Sequence, residues 1–178
     1  MALMALLLEP YLDKPVDLAK TIRIILVHDL GEIYTSDFPA FKKQPPGKSQ
    51  LERKALNKLT KSLPSSLQTE VFKLWEEYEQ ASTYEAKFAK ALDKLEVLLQ
   101  HNEADIKTLR KAEITFNFVH GLEQTEYDSF LKEFRQLVKH DTLLHYKKAG
   151  STGDYIPICP NSFNLVEGGG FGNSQLTF

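Results

Sequence analysis

The chain has 178 residues, a length that suits one domain with at most a short appendage. Its composition is 42% hydrophobic and 11% aromatic, which is enough apolar material for a packed core and excludes global disorder. The formal net charge of −2 excludes an overall basic surface for nucleic acid or an anionic membrane, and the single cysteine, Cys159, excludes an intramolecular disulfide. We therefore expect no nucleic-acid or membrane partner and a cytoplasmic location.

The first element in chain order is an apolar run from Met1 to Leu8. The run is too short for a membrane span, which needs about 18 or more apolar residues, and it lacks the positively charged start of a signal peptide. It also lacks a Ser, Thr, Asp or Asn cap. We interpret it as part of a helix whose beginning lies before Met1, so that the N-terminal helix is truncated.

A second helix is predicted from Asp17, because apolar residues recur at helical spacing over most of its circumference. This helix leads into the sequence His28-Asp29-Leu30-Gly31-Glu32. Turn-forming residues follow over 35–39 and again over 42–47, so we expect no helix to continue through them.

Three further helix starts carry a capping motif, in which a hydroxyl group caps the helix and a carboxylate three residues later reaches back. The pairs are Ser49 with Glu52, Ser82 with Glu85, and Thr125 with Asp128. The predicted helices span residues 49–63, 66–80, 84–102, 105–120 and 126–145. Their predicted inward residues are Val71, Leu74, Trp75, Tyr78, Phe88, Ala91, Leu92, Leu95, Leu98, Leu99, Phe130, Phe134, Leu137 and Val138. Since no strand pattern occurs in this part of the chain, we predict an all-α bundle of about six helices.

The end of the sequence differs from the rest, because 6 of the 9 glycines lie within residues 146–178. We predict a domain over 1–145 followed by a glycine-rich tail over 146–178. The start of the tail looks like translated cloning sequence, which favours a non-native or disordered segment. The competing interpretation is a native extension that packs on a partner through Phe163, Leu165 and Phe171.

His28, Asp29 and Glu32 form the first candidate site. Three ionisable groups at the end of a mostly apolar helix are costly to bury unless something pairs with them. A divalent cation would pair with them, since imidazole and carboxylate groups are common metal ligands. The alternative is an ordinary helix end, at which a cationic histidine interacts with the dipole and the acidic groups face solvent.

Asp93 is the second unusual residue, because it lies in the middle of a predicted helix beside the apolar stripe. Helix propensity and burial both disfavour an aspartate there. An ion pair with Lys87, Lys90 or Lys94 would explain it, and so would a role as a metal ligand together with His28 and Asp29.

Taken together, these residues resemble the HD-domain metal-dependent phosphohydrolases. The segment 28–39 is similar to the His-Asp-x-x-Glu-x-x-Thr-Gly-Asp-x-Pro stretch of the branch that contains the bacterial 5′-deoxynucleotidases and related eukaryotic HD-domain proteins. Segments 75–79 and 85–96 are also typical of that branch, and the resemblance spans about residues 1–140.

The resemblance implies an HD-domain helical bundle that removes phosphate from (deoxy)nucleoside 5′-monophosphates. It implies His28, Asp29 and Asp93 as ligands of a divalent metal ion, which would be Mn, Co, Mg, Zn or Fe. Glu32 would polarise or deprotonate the attacking water, and Asp37 would lie in the substrate pocket. The resemblance also implies a homodimer.

The sequence departs from the family pattern in two places. The family's first histidine ligand and a phosphate-binding arginine are expected before Met1, and Ser36 replaces the more usual glycine. The missing histidine favours a non-catalytic alternative, which is an interaction or dimerisation module or an inactive fragment. The alternative among enzymes is a hydrolase of another phosphoester on the same metal centre. The remaining histidines are expected to be ordinary surface or capping residues, and they are His101, His120, His140 and His145. A basic cluster is expected to attract phosphate or simply to be solvated, and it consists of Lys42, Lys43 and Lys48.

Overall fold

A computed structural model describes residues 1–35 and 46–148, and every regular element within those ranges is helical. The α-helices are α1 (Ala2–Leu8), α2 (Leu18–Val27), α3 (Glu32–Thr35), α4 (Lys48–Thr60), α5 (Ser65–Gln80), α6 (Tyr84–Glu103), α7 (Lys111–Asn117), α8 (Leu122–Thr125) and α9 (Ser129–Lys148). Short 3₁₀ turns occur at Glu9–Tyr11 and Ile106–Thr108. The predicted all-α fold is confirmed, although the described residues form more and shorter helices than the six expected.

Helix α6 lies at the centre of the bundle and packs against α1, α2, α5, α8 and α9. Its apolar stripe is buried as predicted, with Phe88, Leu92, Leu95 and Leu98 all 0% exposed. Burying each of these side chains contributes about 1.5–3 kcal/mol, so the stripe is the main reason that the helices assemble around α6. Asp93 is carried by this same central helix.

A smaller apolar cluster holds the end of α2 in place. Val27, Leu56 and Trp75 join α2 to α4 and α5, and all three are buried. A third cluster of Ile114, Phe118 and Tyr146 joins α7 to α9. The residues that follow Val27 are therefore fixed beside α4 and α5.

Two of the predicted helix caps are wrong. Helix α4 begins directly after Gly47, which adopts the left-handed conformation at φ 77°, and Ser49 makes no cap. Glu52 is 6% exposed and points inward, so its carboxylate does not reach back to the helix start. The N-cap of α6 is Thr83, which accepts a hydrogen bond from the backbone of Ala86. Ser82 instead belongs to the end of α5, where its N–H donates to a carbonyl one turn earlier.

The single helix predicted over 105–120 is wrong, because the structure divides that segment into a 3₁₀ turn and α7. The Asp105 carboxylate caps the 3₁₀ turn by accepting from the backbone of Lys107 at 3.0 Å. Glu113 then accepts from the backbone N–H of Arg110 at 2.7 Å, which starts a new helix. The predicted end at Gly121 is wrong as well, because α7 ends at Asn117 with Phe118 as its C-cap, and Gly121, at a φ of 75°, precedes α8.

The predicted start of the last helix is also wrong. Thr125 lies in α8 and donates to the carbonyl of Gly121 at 2.8 Å, so it does not cap α9. Asp128 is the residue that caps α9, because its Oδ1 accepts from the backbone N–H of Leu131 at 2.9 Å. In the predicted pair, the Asp128 carboxylate therefore caps α9 and the Thr125 hydroxyl does not.

One predicted core residue of α9 faces outward. Leu137 is 58% exposed, whereas Arg135 is 0% exposed and Val138 is 2% exposed. The Arg135 guanidinium donates to the carbonyls of His120 at 2.7 Å and Asn117 at 2.8 Å. Arg135 therefore takes the inward position, where it satisfies carbonyls at the end of α7.

A reciprocal pair of aspartates joins the segment before α2 to the start of α9. The backbone N–H of Asp13 donates to Asp128 Oδ2 at 2.9 Å, and that of Ser129 donates to Asp13 Oδ2 at 2.7 Å. The hydroxyl of Tyr84 also donates to Asp128 Oδ2. Asp128 is 1% exposed, so this aspartate clasp of Asp13 and Asp128 includes a carboxylate inside the protein.

Residues 149–178 of the glycine-rich tail, which include Phe163, Leu165 and Phe171, lie outside the described residues. Helix α9 itself continues to Lys148, past the predicted boundary at 145. Among the described helices, none is both long and apolar enough to cross a membrane.

Candidate functional site

The candidate site lies where α2 ends. The helix stops at Val27, and a turn follows in which the N–H of Leu30 donates to Val27 O and the N–H of Glu32 donates to Asp29 O. Glu32 therefore starts the separate short helix α3. The structure therefore separates the His-Asp pair from Glu32 by a turn, and the three residues do not lie on one helix.

Gly31 allows this turn to lie directly against α4. A Cβ atom at position 31 would lie 2.8 Å from the Cβ of Glu52 and 3.1 Å from its Cα and carbonyl oxygen. Real Cβ atoms do not approach other atoms that closely, so any larger residue would push α4 away. The absence of a side chain thus brings α4 close to the candidate site.

The His28 ring is buried and held in one orientation. Its side chain is 7% exposed, and its Nδ1 lies 2.7 Å from the carbonyl oxygen of Ile25, so Nδ1 carries the proton and donates it. The ring also packs edge-on against Tyr78, with the ring centroids 4.9 Å apart. In the neutral ring, Nε2 therefore presents a lone pair, which is the arrangement of a metal-binding histidine.

Two carboxylates face Nε2 of His28. Asp29 Oδ2 lies 3.0 Å away and Asp93 Oδ1 lies 4.0 Å away. Nε2 is nevertheless buried without a hydrogen-bond partner among the described residues, so its short contact with Asp29 is not a hydrogen bond. Burial lowers the pKa of His28, but the two carboxylates and the Ile25 carbonyl outweigh it and raise the pKa overall.

Asp93 is held by groups from two helices. Its Oδ2 accepts hydrogen bonds from the Tyr78 hydroxyl at 2.9 Å and from the neighbouring ammonium of Lys94. Burial raises the pKa of Asp93, but Lys94, Tyr78 and His28 outweigh it, so the pKa lies below its usual value and the group is ionised. The ion pair with Lys94 that the sequence suggested is present, and Oδ1 still faces His28.

His28, Asp29 and Asp93 form a partial set of donors for a metal ion. Imidazole nitrogen and carboxylate oxygen suit a divalent ion, and the buried Nε2 of His28 is the atom that such an ion would satisfy. Within residues 1–35 and 46–148, however, no group of three or more His, Cys, Asp or Glu side chains is placed closely enough to hold a metal ion. His28, Asp29 and Asp93 would therefore need water or further ligands to complete a coordination sphere.

Glu32 is fixed by a lysine that the sequence placed in a loop cluster. Lys48 Nζ lies 2.9 Å from Glu32 Oε1 and 3.0 Å from Glu52 Oε1. The ammonium thus bridges α3 and α4, and the two carboxylates raise the pKa of Lys48 despite the opposing effect of burial. Glu52 is 7% exposed at its side chain, so this carboxylate anchors the bridge from inside the protein.

The roles of Tyr78, Lys48 and Glu52 were not predicted from the sequence. Tyr78 appeared only as a core residue, although a tyrosine on a buried face needs a partner for its hydroxyl group. Lys48 and Glu52 stand four residues apart, which is the spacing of an ion pair on a helix. That spacing was the available signal for the bridge.

The other predicted residues have mixed outcomes. Asp37, Lys42 and Lys43 lie outside the described residues, so their predicted roles stay predictions. Two histidines are not ordinary surface residues. His101 is partly buried and its Nδ1 lies 2.7 Å from Asn117 Oδ1, and the Nε2 of His120 is buried.

A match to a protein-family model decides the family of this chain. Residues 1–135 match the family model described as HD domain. This chain belongs to the HD-domain family. The family match covers α1 to α8 and the first part of α9, up to residue 135, and it includes the turn that carries His28 and Asp29.

Known proteins similar to this HD-domain chain carry related names. It is 45% identical over 101 residues to "5′-deoxynucleotidase HDDC2" of Xenopus laevis, covering 56% of this chain and 49% of that protein. It is 38% identical over 104 residues to the protein of the same name from Homo sapiens, covering 58% and 50% respectively. The chain thus spans about half the length of these relatives.

A solved structure also resembles this HD-domain chain. It is described as a predicted metal-dependent phosphohydrolase from Magnetospirillum magnetotacticum MS-1, and the two share 30% sequence identity at a TM-score of 0.68. The similarity covers 81% of this chain and 74% of that one. The helical bundle predicted from the sequence is therefore the HD-domain fold.

Proposed function

We propose that this chain is a metal-dependent phosphohydrolase that removes phosphate from (deoxy)nucleoside 5′-monophosphates. The observation that carries the proposal is the orientation of His28, whose buried Nε2 faces the carboxylates of Asp29 and Asp93. The names of the 5′-deoxynucleotidase relatives support the substrate class. The description of the similar solved structure supports dependence on a metal.

His28, Asp29 and Asp93 would hold the divalent ion, which is Mn, Co, Mg, Zn or Fe. When bound, such an ion offsets negative charge on the phosphate and makes water easier to deprotonate. The protein's own contribution is to keep the three donors in place. The Ile25 carbonyl orients the His28 ring, and the Tyr78 hydroxyl orients the Asp93 carboxylate.

Glu32 acts as the general base. It accepts a proton from the attacking water while the water oxygen forms a bond to phosphorus and the bond from phosphorus to the 5′ oxygen breaks. The departing 5′ oxygen takes a proton from solvent. Lys48 fixes the position of the Glu32 carboxylate, and Asp37 orients the sugar or leaving group.

A non-catalytic interaction or dimerisation module is the second candidate. It is favoured by one observation, which is that the described residues contain no group of three His, Cys, Asp or Glu side chains close enough to hold a metal ion. A hydrolase of another phosphoester is a variant of the main proposal, because the same donors would serve it. Metal analysis separates the two classes, since a scaffold has no need of a stoichiometric ion.

The test measures phosphate release from dAMP after the protein is stripped with EDTA and supplied with Mn²⁺, Co²⁺, Mg²⁺, Zn²⁺ or Fe²⁺ in turn. We expect release that depends on the ion and disappears in Asp93→Ala. Asp141→Ala, an exposed aspartate on α9, is the matched control and should keep full activity. Thermal unfolding of both variants checks that they are folded. Metal-loaded protein without turnover on any nucleotide would refute the nucleotidase, and turnover retained in Asp93→Ala would refute the site.

We also place the protein in the cytoplasm as a homodimer. The family resemblance supports the dimer, and the single cysteine is compatible with a reducing compartment. Light scattering coupled to gel filtration tests the dimer, for which we expect twice the 20.3 kDa mass of the chain.

A further inference from the structure

A cleft of about 640 Å³ lies between α4 and α5, away from the residues of the candidate metal site. Its α4 wall consists of Arg53, Lys54 and Asn57. Its α5 wall includes Phe72 and Lys73. The volume falls within the roughly 300–1,000 Å³ range of sites for small molecules, so the cleft is large enough for a nucleotide.

The cleft is bounded by a side-chain bridge at each end. Near the turn that joins the two helices, Gln68 Nε2 lies 3.3 Å from Asn57 Oδ1 and 3.4 Å from Thr60 Oγ1. At the other end, Arg53 pairs with Glu76 across the gap. Because both ends are bridged, the cleft suits a compact ligand better than a peptide or nucleic-acid strand that would have to run through it.

The charge of the cleft selects an anion. Glu76 is the one acidic residue in the lining, and Arg53 already neutralises it. Lys54 and Lys73 face the cleft from opposite walls, and neither ammonium has a hydrogen-bond or ion-pair partner within the described ranges 1–35 and 46–148. Two such cations would attract a ligand that carries at least two negative charges.

The cleft also offers a flat stacking surface, which is the Arg53 guanidinium plane supported by Phe72. The Arg53 guanidinium lies over the Phe72 ring, 5.5 Å from its centroid. Phe72 packs against the cluster of Leu56 and Trp75, so the ring is supported from behind. Aromatic rings and guanidinium planes both stack on nucleobases, and the lysines lie within the same cleft for phosphate groups.

We propose that the cleft between α4 and α5 is a second, non-catalytic binding site for a nucleotide that carries two or more phosphate charges. Lys54 and Lys73 would bind the phosphates, and the base would stack on the Arg53 guanidinium, which Phe72 supports from below. The site stands on the cleft alone and does not require the chain to be a hydrolase. It also offers a route to regulation, because α4 carries both a wall of the cleft and the Lys48 that holds Glu32.

The experiment is isothermal titration calorimetry of the full chain with ADP, with EDTA present to withdraw divalent ions from the candidate metal site. Pyrophosphate serves as a probe that has the charge without the base. The charge-reversed variant is Lys54→Glu with Lys73→Glu. Its matched control is Lys107→Glu with Lys147→Glu, which makes the same change in net charge at two exposed lysines outside the cleft.

We expect ADP to bind the wild-type chain and the control variant, and we expect the cleft variant to bind it at least tenfold more weakly. Phe72→Leu should weaken ADP binding severalfold and leave pyrophosphate binding unchanged. Asp93→Asn should bind ADP as the wild-type chain does, which distinguishes this site from the candidate metal site whether or not the chain hydrolyses nucleotides. No binding of ADP, equal losses in the two double variants, loss of binding in Asp93→Asn, or insensitivity to Phe72→Leu would each overturn the proposal.

Discussion

Replacing Asp128 with alanine should destabilise the protein more than any other single change to a helix cap. The substitution removes the acceptor for the Leu131 N–H at the start of α9 and for two further donors, the Asp13 N–H and the Tyr84 hydroxyl. A lost N-cap costs about 1–2 kcal/mol. Each of the other hydrogen bonds adds about 1 kcal/mol. The expected loss is therefore about 3–4 kcal/mol, a large part of the roughly 5–15 kcal/mol that stabilises a typical domain.

The measurement is urea denaturation followed by circular dichroism, from which the free energy of unfolding is obtained. Asp105→Ala is the matched control, because it removes an exposed aspartate that caps only a 3₁₀ turn, and it should cost at most about 1 kcal/mol. Asp128→Asn should fall between the two, since its remaining carbonyl oxygen can still accept from Leu131. Equal losses in Asp128→Ala and Asp105→Ala would show that the aspartate clasp contributes nothing beyond an ordinary cap.

Three further predictions use the same denaturation assay. Burial and the nearby Lys94 lower the pKa of His120 to about 4, so the unfolded chain is protonated first as the pH falls and stability is lost from about pH 6.5 downward. His120→Gln should therefore lose about 2 kcal/mol less than the wild-type chain between pH 7 and pH 5, and an unchanged loss would contradict the assignment. Gly31→Ala should cost about 1–3 kcal/mol, because its Cβ would lie 2.8 Å from that of Glu52, and an unaffected midpoint would rule out the tight contact with α4. Lys48→Met should cost about 3 kcal/mol by leaving the largely buried Glu52 without its ion pair, and adding Glu52→Gln should recover most of that loss; failure to recover would place the effect elsewhere.

The long helices were predictable because the apolar periodicity and the helix-breaking residues indicated the same helix bounds. The stripe on α6 from Phe88 to Leu98 repeats over several turns, and Pro64 fixes the start of α5. The cap at Asp17 was equally local, since its carboxylate accepts from the Lys20 N–H at 3.0 Å. Such features depend on neighbours in the sequence, so they can be read without the fold.

The segment after α6 was predicted less well for a physical reason. Asp105 and Glu113 each bind a nearby backbone N–H, and these local bonds break an apolar pattern that would otherwise continue as one helix. The inward position of Arg135 was also hidden, because its partners are carbonyls 15 and 18 residues away. The periodicity of the sequence cannot predict hydrogen bonds between residues so far apart along the chain.

The candidate site was predictable in its members and not in its arrangement. His28, Asp29 and Asp93 were candidates because ionisable side chains are costly to bury beside the apolar residues of a helix. Tyr78 reaches Asp93 from another helix, and His28 is oriented by the Ile25 carbonyl, so both contacts depend on how the chain folds.

The aspartate clasp also constrains the order in which the chain can fold as it is made. The hydrogen bond from Asp13 to Asp128 joins residues 115 positions apart, so the N-terminal donor leaves the ribosome long before its acceptor. At typical rates of synthesis, the interval is about 6–23 s. During that time the segment before α2 has no partner at α9, and the bundle closes only when the last helix emerges. A nascent chain halted before Asp128 should therefore leave its first helices open to proteases and chaperones.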